Sequence, residues 1–174
     1  LIPVMESLKQ MGFDGVELPL FNTDLDYAAW GQRLDDLGLE RTAVTVRGEE
    51  DNPISPDASV RAKGIENTKR ALDCCKAAGA TALVGPYHSA LGFFSGQGPT
   101  EDEWKWGIDS MRPVAEYAGQ LGVTLGLEAL NRFECYLLNT HADSARFARE
   151  VDHPNCRVMY DPFHSHNEQK DVAP

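Results

Sequence analysis

The chain has 174 residues, 42% of them hydrophobic and 25% charged, and a formal net charge of −11. That length allows one domain with a substantial core, while no apolar run approaches the roughly 20 residues that span a bilayer. Without a run of Lys or Arg there is no basic stripe for DNA or RNA, so neither membrane nor nucleic acid is expected as a partner.

In chain order, Pro3 to Gly12 reads as a helix with Val4, Leu8 and Met11 on one face and Gly12 as its stop. A short strand follows from Gly15 to Leu20, then a helix from Tyr27 to the stop at Gly38, then a β-branched strand from Thr42 to Val46. Ser55 is the expected N-cap, with Pro56 in the first helical position, of a longer helix through Ala78 that Gly79 ends. Thr81 to Gly85 is the next strand. Thr100-Glu101-Asp102-Glu103 reads as a capping box opening a helix that ends at Gly122. Trp104 and Trp106 near its start read as core residues. Val123 to Leu127 is a strand, Thr140 to Val151 a helix capped by Asn139 or Thr140, and Arg157 to Tyr160 the last strand. A polar loop runs from there to Pro174.

Cys74, Cys75, Cys135 and Cys156 form neither a CxxC pair nor a zinc spacing. Free thiols in a domain of this size point to a reducing compartment and hence a cytoplasmic protein. Nothing resembles a signal peptide, although a chain beginning at Leu1 leaves a removed leader open.

Strict alternation of helix and strand implies a parallel sheet, because each crossover needs a helix. An open doubly wound sheet and a closed barrel both satisfy it. The absence of a GxGxxG or a P-loop after any strand weakens the nucleotide-binding open sheet. A (β/α)₈ barrel needs eight strands and five are visible. The expected architecture is therefore α/β, one incomplete TIM-barrel domain over residues 1–174, covering about strands 2 to 6 with strand 1 and strands 7–8 missing.

Barrel chemistry sits at the C-terminal ends of strands. In Val123 to Leu127 the side chains alternate, so Val123, Leu125 and Leu127 face the helices while Thr124, Gly126 and the terminal Glu128 face the interior. By the same logic Val158 and Tyr160 face out and Asp161 faces in. Two inward carboxylates on neighbouring strands repel unless something positive lies between them. A divalent cation such as Mg²⁺ or Mn²⁺ suits two oxygen donors. Solvated loop acids or helix caps would leave the same spacing, and both readings stay open on spacing alone.

The run Leu127-Glu128-Ala129-Leu130-Asn131-Arg132-Phe133-Glu134, followed by Leu137-Leu138-Asn139-Thr140, resembles the barrel strand-5 signature of the ketose 3-epimerases. These belong to the xylose isomerase-like TIM-barrel sugar isomerases and epimerases. Val158-Met159-Tyr160-Asp161-Pro162-Phe163-His164 resembles their strand-6 signature, and Ser55-Pro56-Asp57 through Arg61 and Gly64 their third crossover. The resemblance implies that Glu128 is both a metal ligand and one of two catalytic acid/base carboxylates, and that Asp161 is a metal ligand. It implies that Glu134 binds substrate hydroxyls near C1 and that His164 binds the oxygen near C2. It further implies epimerisation of a ketose at C3 through a cis-enediolate, with Mn²⁺ as the expected metal and Mg²⁺ or Co²⁺ as alternatives. The partner is then a small sugar, and the full-length protein a homo-oligomer. A His and a second Glu on strands 7 and 8 would complete the site beyond this chain.

Other candidates are local. His88 is read as lining the substrate pocket or as an ordinary loop histidine, with Ser89 to Phe94 as an apolar wall. Gly48 permits close approach of backbone to substrate or serves only as a turn glycine. Glu17 ends a strand and either faces the site or is a rim acid bonding to loop backbone, His166 is a loop residue, and His141 and His153 are surface or capping residues. On the same fold, an aldose–ketose or hydroxypyruvate-type isomerase and an inositol-pathway isomerase or dehydratase are the alternatives. An endonuclease IV-like enzyme is disfavoured by the five His and the net charge of −11.

Overall fold

The computed structural model describes residues 2–170. The elements alternate along the chain as α1 (Ile2–Gln10), β1 (Gly15–Pro19), α2 (Tyr27–Leu37), β2 (Glu40–Val44), a 3₁₀ turn (Glu49–Asp51), α3 (Ala58–Ala78), β3 (Ala82–Gly85), α4 (Glu101–Leu121), β4 (Thr124–Glu128), α5 (His141–Val151), β5 (Cys156–Met159) and α6 (Pro162–Glu168). The glycines expected to end α2, α3 and α4 do so in the left-handed conformation, Gly38 at φ 61°, Gly79 at φ 69° and Gly122 at φ 73°. Thr100 and Glu103 form the capping box reciprocally, and Thr140 caps α5 through the Asp143 amide.

All five strands are parallel and lie in sequential order, β1-β2-β3-β4-β5. A doubly wound sheet starts at its centre and reverses direction at a switch point. Here each new strand adds beside the last, which is the winding of a barrel wall. Leu18, Ala43, Leu83, Leu125 and Leu127 from the strands pack with Leu34, Leu72, Met111, Val114 and Phe147 from the helices in one buried cluster. The other face of the sheet is the barrel interior. There Gly126 lets neighbouring strands close up, because a Cβ on it would stand 3.0 Å from Val84 Cγ1 and 3.5 Å from Met159 Cβ.

The structure departs from the sequence reading at several points, β2 among them, which runs Glu40–Val44 and not Thr42–Val46. α1 turns Met5 and the half-buried Leu8 inward, while Val4 and Met11 are 53% and 72% exposed, so the inward stripe runs one residue away from the expected one. α3 is capped by Asp57, whose carboxylate accepts from the Ser59 amide at 2.7 Å, while Ser55 Oγ accepts from Asp57 N one turn earlier. Trp106 lies under the Arg61 guanidinium, 4.9 Å from its ring centroid, outside the core. Trp104 does reach the core, edge-on to Phe147 at 5.3 Å. Finally, the segment read as a polar loop after Tyr160 forms α6, because Asp161 can cap it and Pro162 suits its first position. The last part of that loop, residues 171–174, lies outside the described residues.

Candidate active site and metal centre

β4 ends at Glu128, and its register with β5 sets Glu128 beside Met159. Met159 faces the interior against Gly126, so Asp161, two residues on, returns to the same face. Asp161 divides its two oxygens between two tasks. Oδ1 caps α6, accepting from Phe163 N at 2.6 Å and His164 N at 3.3 Å. Oδ2 turns toward the His164 ring, 3.9 Å from Nε2. The first turn of α6 then brings His164 back over Glu128, with Nε2 3.7 Å from Oε1. One donor atom each from Glu128, Asp161 and His164 lies within 4.8 Å of the others.

Glu128 is 8% exposed. Burial, then the nearby Asp161 carboxylate and a hydrogen bond shared with it, push the Glu128 carboxyl up to about 7, with Glu17 and Glu134 adding negative charge. Two hard oxygen donors that crowd each other in this way fit a divalent cation, which would relieve their repulsion. His164 does not fit the role of ligand. Its Nδ1 stands 3.1 Å from the Asn131 backbone N–H and 3.0 Å from Asn131 Nδ2, both donors. A neutral ring that accepts at Nδ1 carries its hydrogen on Nε2, and Nε2 is the atom turned to the carboxylates. His164 therefore presents an N–H to the centre of the site, where a metal would need a lone pair.

Glu134 stands behind the same ring, Oε2 3.9 Å from Nδ1, with its side chain 45% exposed to the open rim. The segment carrying it is tied at several points. Asn139 Nδ2 donates to the carbonyls of Leu130 and Cys135, and Arg132 forks onto Glu168 of α6. Glu17 lies on the interior face of β1 and accepts from Thr42 Oγ1 at 3.0 Å.

The structure thus gathers Glu128, Asp161, Glu134 and His164 at one rim, and sets the other two candidates apart. His88 is fully buried; its Nε2 donates to the Glu128 carbonyl at 2.9 Å, and Ser89 Oγ lies 3.0 Å from Nδ1. Burial drives the ring pKa down to about 4, so it is neutral. Gly48 lines a different cavity of about 440 Å³ with Arg47, Glu50, Asp51 and Asn67, and its amide serves the 3₁₀ turn by donating to Asp51 Oδ1 at 2.7 Å. None of the four rim residues contributes to that cavity's wall. Exposed His166 takes no part in the cluster. His141 packs its ring on Tyr160 at 4.5 Å.

Asn131 is the residue that sequence reasoning left without a role. Its one visible signal was its place just past a strand end, where an Asn bonds local backbone. It does so, with Oδ1 accepting from Phe133 N at 3.0 Å. Its bond to His164, 33 residues away, could not be read locally.

Comparison with known proteins gives concordant matches. The family described as Xylose isomerase-like TIM barrel matches residues 5–173. An L-ribulose 3-epimerase of Mesorhizobium japonicum is 32% identical over 171 residues, covering 97% of this chain and 57% of that protein. A D-psicose 3-epimerase of Agrobacterium fabrum is 30% identical, covering 96% of this chain and 60% of that protein. The crystal structure of a D-allulose 3-epimerase from Methylomonas sp. in complex with D-allulose superposes with a TM-score of 0.92 at 26% identity, covering 97% of this chain and 59% of that one. The chain therefore spans about three-fifths of the length of these relatives.

Proposed function

Because the chain belongs to the xylose isomerase-like TIM barrel family, we propose that it carries the first half of the active site of a metal-dependent ketose 3-epimerase. The observation that supports this best is the cluster itself, with two crowded carboxylates beside an imidazole that offers an N–H. Relatives named for ketose 3-epimerisation, one of them solved with D-allulose, point to the same substrate class.

Glu128 and Asp161 would hold the cation, with Mn²⁺ expected and Mg²⁺ or Co²⁺ as alternatives. When bound, it draws electron density from the oxygens flanking C3 and so acidifies the C3 proton. Glu128 is the carboxylate that would exchange a proton at C3. Loss of that proton leaves a cis-enediolate of the sugar. A second acid/base group of the whole protein returns a proton from the opposite face, inverting C3. His164 Nε2–H donates to the oxygen near C2, and Glu134 accepts from hydroxyls near C1. With all four cysteines free and buried, a reducing, cytoplasmic setting is proposed, and the whole protein is taken to act as a homo-oligomer.

The test is to incubate the intact protein and Mn²⁺ with free ketohexoses in D₂O and follow the sugar by NMR. Deuterium at C3 together with a new epimer is the expected result. Exchange at C1 with an aldose product would replace this reading by an aldose–ketose isomerase. No exchange with any free ketose would reject it in favour of phosphorylated or inositol-type substrates.

A further inference from the structure

We propose that His88 is a positioning residue for the metal centre, holding the end of β4 so that the Glu128 carboxylate keeps one place; this rests on the reading of Glu128 as a metal ligand. The argument begins with the sheet. β3 and β4 are in register as far as Gly85 and Leu127, and there the ladder between them stops. Glu128 is the next residue, and its carbonyl is left without a partner from β3. A buried carbonyl in that position is costly to leave unmade.

β3 cannot run on beside it, because the chain turns at Gly85. That residue has φ +124°, and a Cβ on it would stand 2.4 Å from the Thr45 carbonyl oxygen. The turn brings His88 round instead. Its Nε2 lies 2.9 Å from the Glu128 oxygen, and since a carbonyl can only accept, Nε2 carries the hydrogen. In the neutral ring Nδ1 then accepts from the Ser89 hydroxyl at 3.0 Å. The loop behind is equally fixed. Tyr87 Oη donates to Leu83 O at 3.0 Å and Asn52 Oδ1 accepts from Ala90 N at 3.1 Å, with Tyr87 to Ala90 all buried. His88 thus adds one rung, made by a side chain, at the residue whose carboxylate enters the site. Groups that orient a ligand in this way typically change metal affinity by about 10- to 100-fold when removed.

The experiment uses the intact protein and compares wild type, H88M and H88Q, reading Mn²⁺ affinity by titration calorimetry and the metal-free Tm. Met fills similar volume without a donor, whereas the Gln amide nitrogen can reach the place of Nε2. The expected result is about tenfold weaker Mn²⁺ binding in H88M, with H88Q within about threefold of wild type. Unchanged Mn²⁺ affinity in H88M, even with a lowered metal-free Tm, overturns the proposal and leaves His88 a packing residue. Equal losses in H88M and H88Q also overturn it, because the donor would then not matter. If H88M does not fold, S89A carries the test. Loss of the hydroxyl frees the ring to place its hydrogen on Nδ1, and weaker Mn²⁺ binding is expected, while unchanged binding overturns the proposal. Absence of Mn²⁺ binding by the wild type would reject the metal reading itself, and this inference with it.

Discussion

At Glu128 two demands meet: the sheet buries the side chain, and the proposed cation needs its charge. Burial and Asp161 raise its pKa from the ordinary 4.5 to about 7. Such a group binds its proton more tightly when folded. Its contribution to stability is therefore complete below about pH 4.5 and is lost as the pH rises through about 7. Without divalent cation, the Tm is expected to fall across that window, and Glu128→Gln should flatten the slope; an unchanged slope in thermal melts would show that other groups govern it. Because a cation requires the ionised carboxylate, Mn²⁺ affinity should rise from pH 6 to pH 8, as calorimetry at the two pH values can show. The His164 tautomer makes a separate claim. If Nε2 donates to substrate and not to metal, His164→Asn leaves Mn²⁺ affinity within about threefold, while kcat/KM falls about 10- to 100-fold. A large loss of Mn²⁺ affinity would instead make His164 a ligand.

Asp161 also belongs to an element, because the oxygen that does not face the site starts α6. The two roles separate by substitution. Asp161→Asn keeps a capping oxygen and is expected to retain the helix while losing metal binding. Asp161→Ala loses both and should cost about 1 kcal/mol more in denaturant unfolding. The same double use hid α6 from the sequence reading, which saw a polar stretch where a cap and a Pro at the first position were the relevant signals. On α3, Gly64 lies so close to the 3₁₀ turn that a Cβ would stand 2.3 Å from the Asp51 carbonyl oxygen. Gly64→Ala is therefore expected to destabilise by about 1–3 kcal/mol, read from the denaturation midpoint, despite the better helix propensity of Ala.

Over the whole molecule, the winding of the sheet assembles the site from residues far apart in the chain. Glu17 on β1 contributes to the field at Glu128 on β4, and Asn131 orients a ring 33 residues on. The rim stays open, and a hollow of about 530 Å³ between the starts of α4 and α5 holds none of the four rim residues. Among the described residues no helix is long and apolar enough to cross a membrane.

What the sequence by itself determined were features with a local cause. Glycine stops, the Thr100 capping box and short β-branched runs marked nearly every element, because caps and periodicity act within a few residues. Strand parity then placed Glu128 and Asp161 on one face, because side chains alternate along any strand. Tertiary structure decided what depends on partners distant in sequence. It chose sequential winding over a doubly wound sheet, turned α1 onto Met5, and buried His88 against the Glu128 carbonyl. It also set the hydrogen of His164 on Nε2 through Asn131. Each of these is a contact between separate elements, and no local pattern of residue types records which groups folding will bring together.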